Sequence, residues 1–403
     1  MSRYARIAVV SLSLLVFSYI GLGYLLAKTD DDKAYRSLNV YGEVLQRVQE
    51  DYVDEPNLSN VTAGALHGLL ESLDPFSGYL SPREYADFKE KQKNAVRAEI
   101  GATLAKRFGY VVVVSVLPDS PAEKAGLRSG DIVEEIADFT TREMSVGQAN
   151  SLLAGAPGTT IKVGLVRRGK TEPQAITITR AVIPALHLTA EKIDDGVGYV
   201  HIPALQTGAA GEFRDKLQQF DKQGLHKLVL DLRDCARGPA SEGIAAAQLL
   251  ISSGTIATLK GQTVSRQEFD ADPDKVVWKG PIEVLISPST SGAAEILAAA
   301  VGDNHRGDIV GTRSFGAASE QKLIPLEDGS AIMLTVAYYY TPGNKSILEN
   351  GVMPSVEVVG LPPELAGDEL APAPLGANQL PPKDDPVLRK ALDLLNNSAR
   401  KAA

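Results

Sequence analysis

The sequence predicts an α+β protein: an N-terminal helical region, a small β-rich module and a larger α/β core, behind a single apolar N-terminal span. Three observations carry that expectation. Apolar residues recur at helical spacing through residues 29–96. Between 97 and 182, short β-branched runs are interrupted by one sharply capped helix. From 183 to 360, strand-like and helix-like segments alternate, a rhythm that requires a sheet covered by helices.

The chain has 403 residues, enough for two or three modules. Its 44% apolar and 23% charged content is that of a globular protein. A net charge of −9 leaves no basic excess to neutralise phosphates, which argues against a nucleic-acid partner. The single cysteine, Cys235, excludes an intramolecular disulfide framework and a cysteine metal cluster. The 5 histidines show no paired ligand spacing, so neither a metal nor another cofactor is expected.

Residues 1–28 stand apart. Arg3 and Arg6 precede an uncharged apolar run over residues 7–27, followed by "KTDDDK". As a helix the run is about 30 Å long, one bilayer core. The flanking charges predict a cytoplasmic N-terminus and a chain lying outside. A cleaved signal peptide is the rival reading, with Gly21-Leu22-Gly23 as its cleavage site, but the apolar run continues past it.

Along 29–96, "YGEVLQRVQEDYV" places Val44, Leu45 and Val48 on one helical face, and "VTAGALHGLLESL" repeats the pattern. Ser81, Pro82 and Glu84 form an N-cap, first-turn proline and capping-box acid. In 97–182, "YVVVVSVL", "GTTIKVGLVRRG" and "QAITITRAVI" read as strands. "SPAEKAGLRSGDIV" between them is a helix with Ser120 as N-cap, Glu123 as capping-box acid and Gly126 at its end. In 183–360, "GVGYVHI", "HKLVLDLR" and "IEVLIS" are strands separated by an amphipathic helix closed by Gly224 and an alanine-rich helix. "DIVGTRSFG", "AIMLTVAYYYT" and "PSVEVV" are expected to complete one sheet. Residues 361–384 are rich in Pro, Ala and Gly and read as a linker, and 385–403 as a closing amphipathic helix.

Several segments together carry a family resemblance: "LDPFSGYLSP", "DSPAEKAGLRSGDIV", "LVLDLR", "GAAEILAAAVGDN", "GTRSFG" and "AYYYTPGNKSILENGVMPSVEV". In this order they resemble the C-terminal processing peptidases, or tail-specific proteases, over roughly residues 38–400. The resemblance implies a PDZ domain over 97–182 inserted in an α/β protease core over 183–360. The apolar run and its flanking charges set the expected location: a bacterial inner membrane, crossed once, with the bulk of the chain periplasmic or extracytoplasmic. In that family the PDZ module recognises a substrate's C-terminal carboxylate and feeds the chain to a serine–lysine site. "EIGATL" would supply the peptide-binding loop and strand, Ile100, Gly101, Ala102, Thr103 and Leu104. A PDZ-like domain serving only as a spacer is the alternative.

The resemblance also locates three reacting positions, and this sequence departs from the family at each. The nucleophile lies three residues before Glu295, which is Gly292. The lysine falls on Ala317, in "SFGAASEQ", while Gln321 matches the third polar residue. The first glycine of the oxyanion turn after "LVLDLR" is Arg237. A serine–lysine protease needs a hydroxyl, a neutral amine to deprotonate it and amides aimed at the oxyanion. Arg237 is expected to put a bulky cation into the pocket.

Replacement groups are few. Ser291 is the fallback nucleophile, one position off and turned about 100° along a helix. Ser287 and Ser289 lie further away. Lys322 should face the opposite side of its strand from Gln321, His305 should sit in a loop, and Arg237 could favour a Cys235 thiolate. The expected reading is a membrane-anchored protein with a disabled peptidase site. It would bind protein C-terminal peptides as an adaptor, scaffold or non-catalytic partner of an active homologous protease. The competing readings are an active endopeptidase using Ser291 and a structural envelope protein with no ligand.

Overall fold

In the N-terminal part of the chain the predicted helical periodicity is realised as α1 over residues 38–51, with Leu45 and Val48 half-buried and Val44 exposed. The computed structural model describes residues 38–93, 98–107, 109–142, 144–167, 172–194, 196–358 and 384–402, together with Ser18. Apart from Ser18 and Asp384, the predicted span in 1–28 and the linker 361–384 lie outside the described residues. Among those described, no helix is long and apolar enough to cross a membrane. Residues 1–65 and 66–403 form two units. α2 (Leu58–Glu71) runs across that boundary.

In the second unit, β1 (Gly78–Leu80) leads into α3 (Pro82–Lys93) through the predicted cap. The Glu84 amide donates to Ser81 Oγ at 3.4 Å and the Ser81 amide donates to Glu84 Oε2 at 2.7 Å. Asp74, in the "LDPFSGYL" segment, accepts from the amides of Phe76 and Ser77, the Ser77 hydroxyl and the Thr335 hydroxyl.

The small module is an antiparallel sheet in the order β2 (Ala102–Arg107), β3 (Tyr110–Val116), β4 (Ile132–Ile136), β6 (Thr160–Val166), β7 (Gln174–Thr179). The short β5 (Phe139–Thr140) pairs with β4. α4 (Pro121–Lys124) and α5 (Val146–Leu153) pack on the sheet. Ser120 caps α4 as expected, accepting from the Glu123 amide at 3.2 Å. The capping box is corrected: Glu123 accepts from the amide of Asp119, one residue earlier than Ser120. Asp119 takes φ +59°, and that left-handed step turns its amide toward the carboxylate. β2 and β7 are the edge strands of this sheet.

The core sheet is ordered β17 (Val356–Glu357), β14 (Asp308–Gly311), β13 (Ile282–Ile286), β10 (Lys227–Asp231), β9 (Val197–His201), β8 (Thr189–Asp194). All pairs are parallel except β8 with β9. Central strands such as "KLVLD" and "IEVLI" are nearly continuous apolar runs because both faces are covered. Leu228, Leu230, Val284 and Ile286 face a cluster shared with α6 (Ala209–Lys222), α7 (Ala240–Gln248) and α8 (Ala293–Asp303). Tyr199, Val229 and Leu285 face the closing helix α9 (Pro386–Ala402) through Leu388, Ala391 and Leu395.

One expectation is corrected. "AIMLTVAYYYT" does not join the core sheet. As β16 (Ala331–Tyr340) it belongs to a second, antiparallel sheet with β1, β11 (Thr255–Lys260), β12 (Gln267–Asp270) and β15 (Ser319–Pro325). β16 is mostly half-buried along its length. Such a strand suits a sheet with a solvated side, whereas a place in the parallel sheet demands burial on both faces.

Glu283 shares the α9-facing side of β13 with Leu285. Burial and the nearby Asp308 push its carboxyl up to about 8, and its Oε2 is buried without a partner among the described residues. The neutral acid is therefore the form the fold accepts. Stability linked to this group is fully present below pH 4.5, declines as pH rises from there and is lost once pH passes about 8, by on the order of 5 kcal/mol at most. Glu283→Gln is expected to flatten that decline. Urea denaturation at pH 5 and pH 9 checks it; a parallel decline in both proteins refutes it.

Candidate active site and the peptide edge beside it

β13 ends at Ile286, and the chain turns through a hydroxyl-rich corner into α8. The hydroxyls make the corner. Thr290 Oγ1 accepts from the Ser287 amide at 3.0 Å and donates to the Leu232 carbonyl at 2.9 Å. Ser287 Oγ accepts from the Ser289 amide at 3.1 Å. At the junction Gly292 has φ +62° and ψ −116°, a conformation that L side chains rarely adopt. A Cβ built there meets nothing within 4 Å. Space for a side chain persists and the side chain does not.

A buried glutamate ties this corner to the second reacting segment. Glu295 Oε2 accepts from the amides of Gly292 at 2.9 Å and Ala317 at 2.8 Å. Its Oε1 accepts from the Gly316 amide at 2.6 Å and the Ser314 hydroxyl at 2.5 Å. Burial pushes the Glu295 carboxyl up, and these donors, the Ala317 amide foremost, pull it back. In the sequence Glu295 marks the position of Gly292 by its capping-box spacing alone; the long-range bonds to 314–317 have no local signal.

Gly292, Ala317 and Gln321 line one cavity of about 240 Å³, with Ser291 and Ser319 from the core and Thr103, Leu104 and Ala105 from β2. Among the described residues lining it there is no lysine, histidine, arginine, cysteine or carboxylate. The single titratable group is Tyr339, whose hydroxyl burial pushes up to about 12. Gln321 Nε2 lies 3.4 Å from Ser319 Oγ. Lys322, next along β15, is exposed and does not line the cavity, and His305 is exposed in a turn after α8. Ser287 and Ser289 stay with the corner.

Cys235 reverses its expectation. It is fully buried and outside the cavity lining, and burial pushes its thiol up to about 12, away from a thiolate. Arg237 also departs from expectation. Its guanidinium leaves the cavity and turns to the small module. Nη1 donates to Glu99 Oε1 at 2.8 Å, Nη2 to the Ala102 carbonyl at 2.7 Å, and Nε to Thr103 Oγ1 at 3.1 Å. The left-handed residues of its turn are Asp234 and Gly238, not Arg237. Gly238 is obligatory, since a Cβ there would sit 1.8 Å from the Leu205 carbonyl oxygen.

Ile100 and Gly101 form the predicted loop ahead of β2. Gly101 has φ +81°, and a Cβ would lie 2.4 Å from Ser120 Cβ. Their carbonyls accept from the amides of Ala122 and Leu117, while among the described residues their own amides have no acceptor. Elsewhere the module closes over the core. Ser115 Oγ donates to the Asp234 carbonyl at 2.7 Å, and Arg107 Nη2 donates to the Phe315 carbonyl at 3.2 Å. Ala105 and Val114 pack with Phe315, Ala236 and Ala317.

A module with an edge strand, set against a parallel α/β core whose strand-to-helix corner shares a cavity with a second loop, defines a tail-specific peptidase architecture. Residues 196–358 match the model of peptidase family S41, and residues 112–167 that of the PDZ domain. The carboxy-terminal processing protease CtpA of Bacillus subtilis is 30% identical over 83% of this chain and 71% of its own length. The carboxy-terminal-processing protease of Bartonella bacilliformis is 28% identical over 96% of this chain and 94% of its own. Among solved structures, the photosystem II D1 C-terminal processing protease superposes with a TM-score of 0.67 at 25% identity, covering 81% of this chain and 94% of that one. The chain belongs to the C-terminal processing peptidase family, with a PDZ domain and an S41 core.

Proposed function

We propose that this chain is a non-hydrolysing member of its family that holds protein C-termini at its PDZ edge, as an adaptor or scaffold beside an active homologous protease. The observation that carries this reading is the shared cavity: positions 292, 317 and 321 line it together, and neither a nucleophile at 292 nor a base at 317 is there. Ser291 gives little support to an alternative active site, because among the described residues no lysine or histidine lines the same cavity. The amides of Ile100 and Gly101, without an acceptor among the described residues, and the edge position of β2 support peptide capture, the former for a carboxylate and the latter for an added strand. The uncharged run at 7–27, flanked by Arg3 and Arg6, supports a single-pass anchor in a bacterial inner membrane with the bulk of the chain periplasmic.

The test is titration of the full chain in detergent with peptides ending in apolar residues, followed by mass spectrometry of the recovered peptide. Saturable binding of intact peptide is expected. Cleavage that Ser291→Ala abolishes overturns the inactive reading, and the absence of binding by any peptide overturns the adaptor reading.

A further inference from the structure

We propose that Arg237, a core residue, is the cation that receives the terminal carboxylate of a PDZ-bound peptide, and that Glu99 occupies it until a ligand arrives. The inference rests on the reading of the β2 edge as the peptide site and names the residue that selects a free carboxylate there.

The guanidinium has two kinds of partner. Nη2 and Nε are fixed to β2, through the Ala102 carbonyl at 2.7 Å and Thr103 Oγ1 at 3.1 Å. These residues directly follow Ile100 and Gly101, whose amides have no acceptor among the described residues. The remaining partner is the Glu99 carboxylate, at 2.8 Å from Nη1 and 3.4 Å from Nη2. Glu99 is held by its backbone alone, pairing both ways with Ala181. Its side chain is 39% exposed and that of Arg237 26% exposed, so water and ligand reach the pair.

Loss of the Glu99 contact therefore leaves the guanidinium anchored by two hydrogen bonds, with its outer face free for another carboxylate. Arginine suits this role because its planar fork binds a carboxylate in bidentate fashion while its other N–H groups stay engaged. The amides ahead of β2 and the guanidinium beside Ala102 converge on one end of the edge strand. That is where the last residue of an added strand would end.

The test compares two peptides of one apolar-tailed sequence, one with a free C-terminal carboxylate and one amidated, by fluorescence anisotropy with the full chain in detergent. The wild type is expected to prefer the free acid. Arg237→Gly is expected to weaken the acid on the order of tenfold and leave the amide unchanged, collapsing the preference. Arg237→Lys is expected to fall between. Glu99→Gln is expected to tighten the acid severalfold, a gain that misfolding cannot produce. Two results overturn the proposal while the peptide-binding reading stands. One is a preference unchanged in Arg237→Gly. The other is tightening of both peptides by that change, which would make Arg237 a plug on the edge. A wild type that binds neither peptide removes both ideas.

Discussion

Hydrolysis of an unfolded polypeptide is expected from the Gly292→Ser, Ala317→Lys double variant and from neither single variant, with a gap of about a thousandfold or more. The serine oxygen and its base act as a unit, so either alone remains near the background set by loss of the nucleophile, on the order of a millionfold below an intact enzyme. Room for the two side chains is in place. A Cβ at 292 enters open space, and the two positions line one cavity with Gln321. Lysine there would be partly shielded by Phe76 and Phe315, which favours the neutral amine. The serine brings strain, because position 292 has φ +62°. Gly292→Ser is expected to destabilise by about 1–3 kcal/mol, read in urea denaturation. Turnover by a single variant, or an unstrained serine, would contradict this account.

Arg233→Met is expected to destabilise the protein by about 3–5 kcal/mol. Asp231 is completely buried at the end of β10. Arg233 Nη2 donates to its Oδ2 at 2.6 Å and Nε to its Oδ1 at 3.0 Å, and the Tyr199 hydroxyl adds a bond at 2.7 Å. Burial pushes the Asp231 carboxyl up, but Arg233 outweighs it and holds the group below the usual aspartate range. Arg233 Nη1 also reaches Asp385 at 2.6 Å, immediately before α9. Removing the guanidinium strands a charge in the core and frees one anchor of that helix. Asp231→Asn placed on top of Arg233→Met is expected to recover part of the loss, since an uncharged amide needs no counter-ion. Denaturation midpoints of the two variants decide it; a loss under 1 kcal/mol for Arg233→Met would contradict the assignment.

What was legible in the sequence was mostly local. The Ser81–Glu84 cap, the Ser120 cap and the turn at Gly224 depend on residues within one helical turn, and each formed as the residue types dictated. The corner at Gly292 was readable for the same reason. Glu123 missed its expected partner by one residue because a left-handed Asp119 moved the nearer amide, a backbone choice that spacing does not encode. Apolar alternation marked β16 as a strand but not which sheet it joins, since that depends on pairing with β11 and β1 far along the chain. Arg237 was identified as a departure, yet its direction depends on Glu99 and Ala102, more than a hundred residues away. The bulky cation expected in the cavity is absorbed by the PDZ module.

Glu295 gives the site a property of its own. One carboxylate grips the corner at Gly292 and the loop at Gly316 and Ala317, so the walls of the cavity depend on neither a nucleophile nor a base. Shape and reactivity are thus set by different groups in this framework. Exchanging side chains at 292 and 317 leaves the tie between the two walls untouched.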